Sequence, residues 1–146
     1  MNGFVRKADG IHMWIAKRAM DKPTYPGMLD NLVAGGQPTG LGFRENMIKE
    51  CAEEAGIPTG LAEKIVAIGT VSYLYETDDR VQPDVLVNFD LELPEDFVPH
   101  CADGAVAQFD LLPIAAVAER VRTGFAFKFT CELRLVHLMI RLGPLT

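Results

Sequence analysis

An α/β/α sandwich on a mixed sheet, in an α+β chain, is the fold class this sequence predicts, and three observations carry the prediction. Segments rich in Val, Ile, Tyr and Phe occupy the beginning and the middle of the chain. A helical period runs from Phe43 to Ala55, and two more close the chain. The resulting order is β-β-β-α-β-β-β-α-α, with helices few but long enough to cover a sheet.

Each element has its own signal. "GFVRK" and "IHMWIAKRA" read as strands around the turn "ADG". In the second, His12, Trp14, Ala16 and Arg18 share one face, and Met13, Ile15 and Lys17 the other. "DKPTYPG" is a loop, and "MLDNLVAGG" reads as a strand entering a tight turn. Met47, Cys51 and Ala55 recur at i, i+4, i+8 in the first helix, which Gly56 ends, with Pro58 beyond it. "KIVAIGTVSYLYE" and "VQPDVLVNFDLEL" read as strands joined by the turn "TDDR". "LPEDFVPHCADG" is a loop before the short strand "AVAQFDLL". "PIAAVAERVRTG" opens a helix on proline and closes it on glycine. "FKFTCELRLVHLMIRLG" predicts a final amphipathic helix with Phe129, Leu133, Val136 and Ile140 as its apolar stripe. Phe125, Phe127 and Phe129 read as packing residues.

Bulk properties exclude several function classes. The 146 residues fit one domain, 1–146, and 49% apolar residues suffice for a core. The net charge is −6, from 14 basic and 20 acidic residues, without the basic stripe that nucleic acid requires. Cys51, Cys101 and Cys131 are dispersed and odd in number, which argues against a disulfide framework and for a reducing compartment. His100-Cys101 lacks partners at zinc-site spacing. No apolar run approaches the ~18 residues of a membrane span, and the N-terminus lacks a signal-peptide core, so the cytoplasm is the expected location.

The chemistry concentrates in "KECAEEAGI", Lys49 to Ile57, which follows the glycine-rich "VAGGQPTG". Glu50, Glu53 and Glu54 fall at i, i+3 and i+4, within an arc of about 100° on a helix, so all three are expected to point one way. The bland reading is a solvated acidic face, with Lys49 paired to Glu53 at i+4. The functional reading is a hard divalent cation, which takes oxygen ligands, with the backbone at Gly35-Gly36 close by. The helix alone favours the first, and both stay open on the residues.

The wider segment "GGQPTGLGFRENMIKECAEEAGI" resembles the Nudix box, G-x5-E-x7-R-E-U-x-E-E-x-G-U with U aliphatic. Gly35 falls on its first position. Glu50, Glu53, Glu54, Gly56 and Ile57 fall on later ones, and Cys51 takes the first aliphatic place. Leu41 stands where the family has its first glutamate, and Lys49 where it has arginine, a pair that the resemblance implies would otherwise brace the loop. "NGFVRKADGIHMWIAKRAMDKPTYPGMLDNLVAGG", "SYLYE", "DLELPEDFVP" and "LLPI" are similar to the Nudix branch associated with thiamine pyrophosphokinase. Members of that branch typically carry a further N-terminal domain, so this chain looks like the catalytic module or a minimal form. "KPTYPGMLDN" also resembles isopentenyl-diphosphate isomerase-like Nudix proteins.

The resemblance implies the Nudix fold and a pyrophosphohydrolase that cuts an organic diphosphate of nucleoside diphosphate-X type to the monophosphate. Thiamine diphosphate, or a damaged oxo or oxy form of it, is the implied substrate. Glu50, Glu53 and Glu54, with the Gly36 carbonyl, would hold Mg²⁺ or Mn²⁺, and Glu50 would accept the proton of the attacking water. Arg18 and Lys22 would grip the diphosphate, and Trp14 and Tyr25 would stack on a heterocycle. Against these stand a solvated surface pair and ordinary core packing for a strand tryptophan. Arg44 reads as exposed, and Tyr73 and Tyr75 as either core or cleft wall. Many Nudix enzymes add a glutamate from a later loop; here Ala105 and Ala107 occupy that segment, with Asp103 and Asp110 the nearest carboxylates. The expected partners are a small-molecule diphosphate and, at most, a second copy of the chain as a homodimer, with neither nucleic acid nor membrane. The alternatives are another Nudix reaction, ADP-sugar hydrolysis or diphosphate isomerisation, and a binding module without turnover.

Overall fold

The computed structural model describes residues 1–76 and 78–142. Six strands, β1 (Asn2–Lys7), β2 (Gly10–Arg18), β3 (Leu29–Asn31), β4 (Val66–Glu76), β5 (Val81–Glu92) and β6 (Val106–Pro113), form one sheet. Four helices accompany them: α1 (Phe43–Ala55), α2 (Thr59–Ala62), α3 (Ile114–Thr123) and α4 (Phe129–Leu142). β1 pairs in parallel with β5 and the other pairings are antiparallel, which makes the sheet mixed, as expected.

The two faces read from β2 are the two faces of the molecule. Trp14 packs with Met47, Cys51 and Ala55 of α1 and with Leu32 and Val33. Met13 and Ile15 pack with Val117 of α3 and with Cys131, Leu135 and Leu138 of α4. Alternation on one strand thus puts a helix layer on each side, the α/β/α arrangement. Cys51 and Cys131 are free and buried, and burial pushes the Cys51 thiol up to about 12.

Element boundaries follow local chemistry. α1 ends where Gly56 takes a left-handed conformation, φ 62°, and its N–H bonds the Ala52 carbonyl at 3.2 Å. A Cβ at Gly56 would overlap the His100 ring, so glycine is required twice over. α2 was not expected: one helical turn is held by the Leu61 and Ala62 N–H groups on the Pro58 carbonyl, each at 2.9 Å. β3 is shorter than the expected strand. Leu32 and Val33 stay fully buried but leave the ladder, which carries the chain across to the glycine turn.

Two packing expectations are corrected. The buried residues of α4 are Cys131, Leu135 and Leu138, while Phe129, Val136 and Ile140 of the expected stripe are exposed, Ile140 by 74%. α4 is apolar on more than one side, so a 3.6-residue period fits two stripes, and docking against β2 selects the other one. Of the three phenylalanines read as packing residues, only Phe127 is buried; Phe125 is 96% exposed at φ 66°, and Phe129 is 45% exposed. Gly143 of the expected helix and Thr77 of the expected turn lie outside the described residues.

Candidate functional site

α1 delivers two of its four glutamates, Glu50 and Glu54, to one cleft. Its first half packs Met47 into the core, which turns the carboxylates at Glu50 and Glu54, i and i+4, toward the chain that follows β3. Glu50 is 15% exposed in its side chain and lies so close to Gly35 that an added Cβ there would sit 2.4 Å from the Glu50 Cδ. Glu54 accepts the Ala34 N–H at 2.8 Å. Burial raises the Glu54 pKa to about 7; the Ala34 N–H opposes the rise, and the negative charges of Glu50, Asp30 and Asp103 add to it.

Glu53 does not join them, which corrects the expectation of a single three-carboxylate face. At about 100° per residue, Glu53 lies toward Lys49 and Glu54 toward the buried Met47. Glu53 is exposed and bonded to Lys49 Nζ at 2.6 Å, the i+4 pair of the bland reading. Lys49 also lies 3.6 Å from Glu50. The brace missing with Leu41 and Lys49 is supplied otherwise: Asn46 Nδ2 donates to the Gly36 carbonyl at 3.0 Å, and Gln37 Nε2 to the Leu41 carbonyl at 2.7 Å.

Across a cleft of about 340 Å³ from the two carboxylates stand Arg18, Lys22, Asp30 and Lys128. Arg18 is largely committed. It donates to the Thr24 and Tyr25 carbonyls and, at 3.1 Å, to Asp30, so it shapes the loop that carries Lys22 and Tyr25. Lys128 reaches Asp30 at 3.7 Å from a segment tied by its N–H to the Leu29 carbonyl at 2.9 Å. Ala105 and Val106 close the remaining side, and the Ala19 N–H on the Ala105 carbonyl holds them there. Asp103 turns back onto its own loop, accepting from the Ala105 N–H at 2.8 Å, and Asp110 accepts from Gln108 Nε2 at 2.7 Å.

Beyond Gly36 a second cavity of about 440 Å³ opens off the same cleft. Tyr25, Tyr73, Tyr75 and Phe129 line it, so the two strand tyrosines are cleft wall. Trp14 is corrected as a stacking residue: it is 9% exposed within the α1-side core, because even-numbered positions of β2 face that helix. Arg44 is exposed, as expected, yet tied to the Ile65 and Glu63 carbonyls, where it joins α1 to the chain before β4.

Residues missed by the sequence reading are Asp30, Lys128, Asn46, Asp84 and Arg134. Asp30 is 4% exposed and paired to two cations. Its signal was an acid inside an apolar strand, "MLDNLVA", a position that requires partners. Lys128 carries no such signal, since only tertiary pairing brings residue 128 beside residue 29.

The donor set fits a hard divalent cation. Glu50 and Glu54 supply carboxylate oxygens beside the Gly35-Gly36 backbone. Glu54, its pKa raised by burial, forms no ion pair among the described residues, and a cation beside it would favour its charged form. Among the described residues no group of three or more His, Cys, Asp or Glu is gathered, as a soft or all-protein metal cage would require. Mg²⁺ and Mn²⁺ suit one or two carboxylates, with water and substrate oxygens completing the shell.

No protein-family profile matches the chain. The fold, with its glutamate helix set against a glycine turn, is the Nudix fold. The NUDIX domain of NrtR from Shewanella oneidensis, solved in complex with ADP-ribose, aligns with TM-score 0.73 over 97% of this chain and 84% of that one, at 13% identity. In sequence, the chain is similar over 143 residues, 98% of its length, to two Arabidopsis thaliana proteins, Nudix hydrolase 20, chloroplastic, and Nudix hydrolase 24, chloroplastic, at 47% identity to each. It spans 38% and 39% of the lengths of those relatives. Among the described residues no helix is long and apolar enough to cross a membrane.

Proposed function

We propose that the chain is a Nudix pyrophosphohydrolase, acting as one domain on an organic diphosphate of the thiamine diphosphate kind with Mg²⁺ or Mn²⁺. One observation carries this reading: Glu50 and Glu54 face Lys22 and Lys128 across a single cleft floored by Gly35 and Gly36. Carboxylates for cations and lysines for phosphate oxygens are what a diphosphate anhydride needs on its two sides. The plant relatives are named Nudix hydrolases, which supports the reaction class.

Glu50 and Glu54 would hold the cation, with Gly36 offering its carbonyl. When bound, the cation offsets charge on the phosphoryl oxygens and acidifies a water molecule. Lys22 and Lys128 bind the outer phosphate oxygens, and Arg18 keeps Lys22's loop in place through the Thr24 and Tyr25 carbonyls. The water oxygen bonds to phosphorus, its proton passes to the Glu50 carboxylate, and the anhydride P–O bond breaks, leaving a monophosphate and inorganic phosphate. Glu53 stays paired to Lys49 at the rim.

A second reading, a ligand-binding domain without turnover, is favoured by Ala105 and Val106, which line the cleft where a further carboxylate would stand. Monophosphate release from thiamine diphosphate and from ADP-ribose, with Mg²⁺, separates the readings. Wild type is expected to release product, and Glu54→Gln to lose roughly 100-fold or more. Equal, negligible release from both proteins establishes the binding domain. Release from ADP-ribose alone establishes the ADP-sugar reaction.

A further inference from the structure

We infer that the outer edge of β4 is an interface for a second copy of this chain, with residues 70–76 of the two copies pairing antiparallel about a two-fold axis to join their sheets into one. The surface lies apart from the cleft carboxylates, and the reaction proposed above neither requires nor supplies it.

β4 pairs with β5 alone, which leaves its other edge unpaired among the described residues. An open edge presents backbone N–H and C=O groups to any strand that reaches it, and monomeric proteins blunt such edges with short strands, charge, proline or bulges. The sheet's other borders carry those devices. β3 is three residues long, and β6 contains Asp110 and ends on Pro113. β5 pairs with β1 only from Asp90 to Glu92, and the stretch before that carries Pro83 and Asp84. β4 has one such device, a register shift between Ala67 and Gly69 that bends its first part. Residues 66–75 hold no charge and no proline, and Val71, Tyr73 and Tyr75 are good strand formers.

Exposure marks the same edge. Beyond the bend, β4 and β5 form a two-stranded ribbon, and such a ribbon is marginal in water without a third strand or a packed face. Phe129 covers Tyr73 on the α4 side. On the opposite side Leu74, Val81 and Val85 are 70%, 56% and 64% exposed. A second copy paired at this edge supplies a third and a fourth strand and brings Leu74 of both copies onto one face as diagonal neighbours. Charge selects this occupant. Glu76 is the sole charged residue of β4 and stands at its C-terminal end. Antiparallel self-pairing sets it against the neutral Thr70 end, whereas parallel pairing would oppose like charges. A two-fold axis generates the antiparallel arrangement, so a single segment is both halves of the interface.

Sedimentation of the 146-residue chain at micromolar concentration tests this. Wild type is expected at twice 16.1 kDa, and Leu74→Lys, a change at an exposed site, as a monomer with an unchanged circular-dichroism spectrum. Ser72→Lys, on the same face of β4, serves if Leu74→Lys misfolds. Ile140→Lys, on the exposed side of α4, should leave the dimer intact. Amide hydrogen exchange reads the strand pairing itself. Alternate amides of residues 70–76 should exchange about ten-fold or more faster in Leu74→Lys than in wild type, while those of β1 and β2 stay unchanged. A monomeric wild type overturns the inference, as does a dimer that Ile140→Lys dissolves and Leu74→Lys does not. A dimer whose residues 70–76 exchange alike in wild type and Leu74→Lys overturns it as well.

Discussion

Glu54 is a cleft carboxylate whose ionisation is opposed by burial. Its carboxyl pKa rises from 4.5 to about 7, through burial first, with the negative charge of Glu50 adding to the rise and the Ala34 N–H opposing it. The metal-free fold therefore holds a proton that the unfolded chain has already released between these values. Stability is full below about pH 4.5 and is lost as pH rises through 7, by about 3 kcal/mol at most. Urea denaturation in EDTA at pH 5 and pH 8 is expected to show that loss in wild type and a flatter profile in Glu54→Gln. Mn²⁺ at pH 8 should restore wild type and leave the variant unchanged. Gly35 acts on the neighbouring carboxylate. Gly35→Ala pushes against the Glu50 Cδ, the end of a flexible side chain, so stability should change by less than about 1 kcal/mol. Turnover should fall about 100-fold, because the carboxylate is displaced. A melt and a rate on the same preparation check both halves.

At the scale of elements, α1 and α4 behaved differently under the same periodic reading. α1 has one apolar stripe, Met47, Cys51 and Ala55, and that stripe is buried. α4 offers several, and only contact with Met13 and Ile15 of β2 distinguishes them. Leu135→Ala, at a fully buried site, should cost about 2–5 kcal/mol. Ile140→Ala, at 74% exposure, should cost no more than about 0.5 kcal/mol. Denaturant midpoints with unchanged m-values are the measurement. The acidic arc of α1 shows a similar limit. Three glutamates in five positions announce a charged face, but 100° of arc is wide enough to send Glu53 to Lys49 and Glu54 to the cleft.

Across the whole molecule, a polar relay buried at Asn2 and Asn31 ties the sheet to α4. Asn31 Nδ2 donates to Asn2 Oδ1 at 2.8 Å, Asn2 Nδ2 to Asp90 at 2.9 Å, and Arg134 to Asn31 at 3.0 Å. Arg141 completes it on Asp90 at 2.7 Å. Asn31→Ala strands both Asn2 and Arg134 and should destabilise the fold by roughly 1–3 kcal/mol. Because Arg134 also lines the cavity that opens off the acidic cleft, monophosphate release with Mg²⁺ should fall in the same variant. What the chain's residue order decided alone was the layer order, the two-faced β2, the span of α1 and the place of the glutamates beside a glycine turn. All of these rest on periods and turn residues within about twenty positions of one another. What required the folded sheet was the choice of glutamates, the buried face of α4, and the cleft's far wall. Lys128 and Asp30 meet only because the segment before α4 runs beside Leu29, and Tyr73 meets Phe129 only because the β4-β5 hairpin reaches over α4. Contacts between residues 56 and 98 positions apart leave no local period behind them, so their positions follow from packing alone.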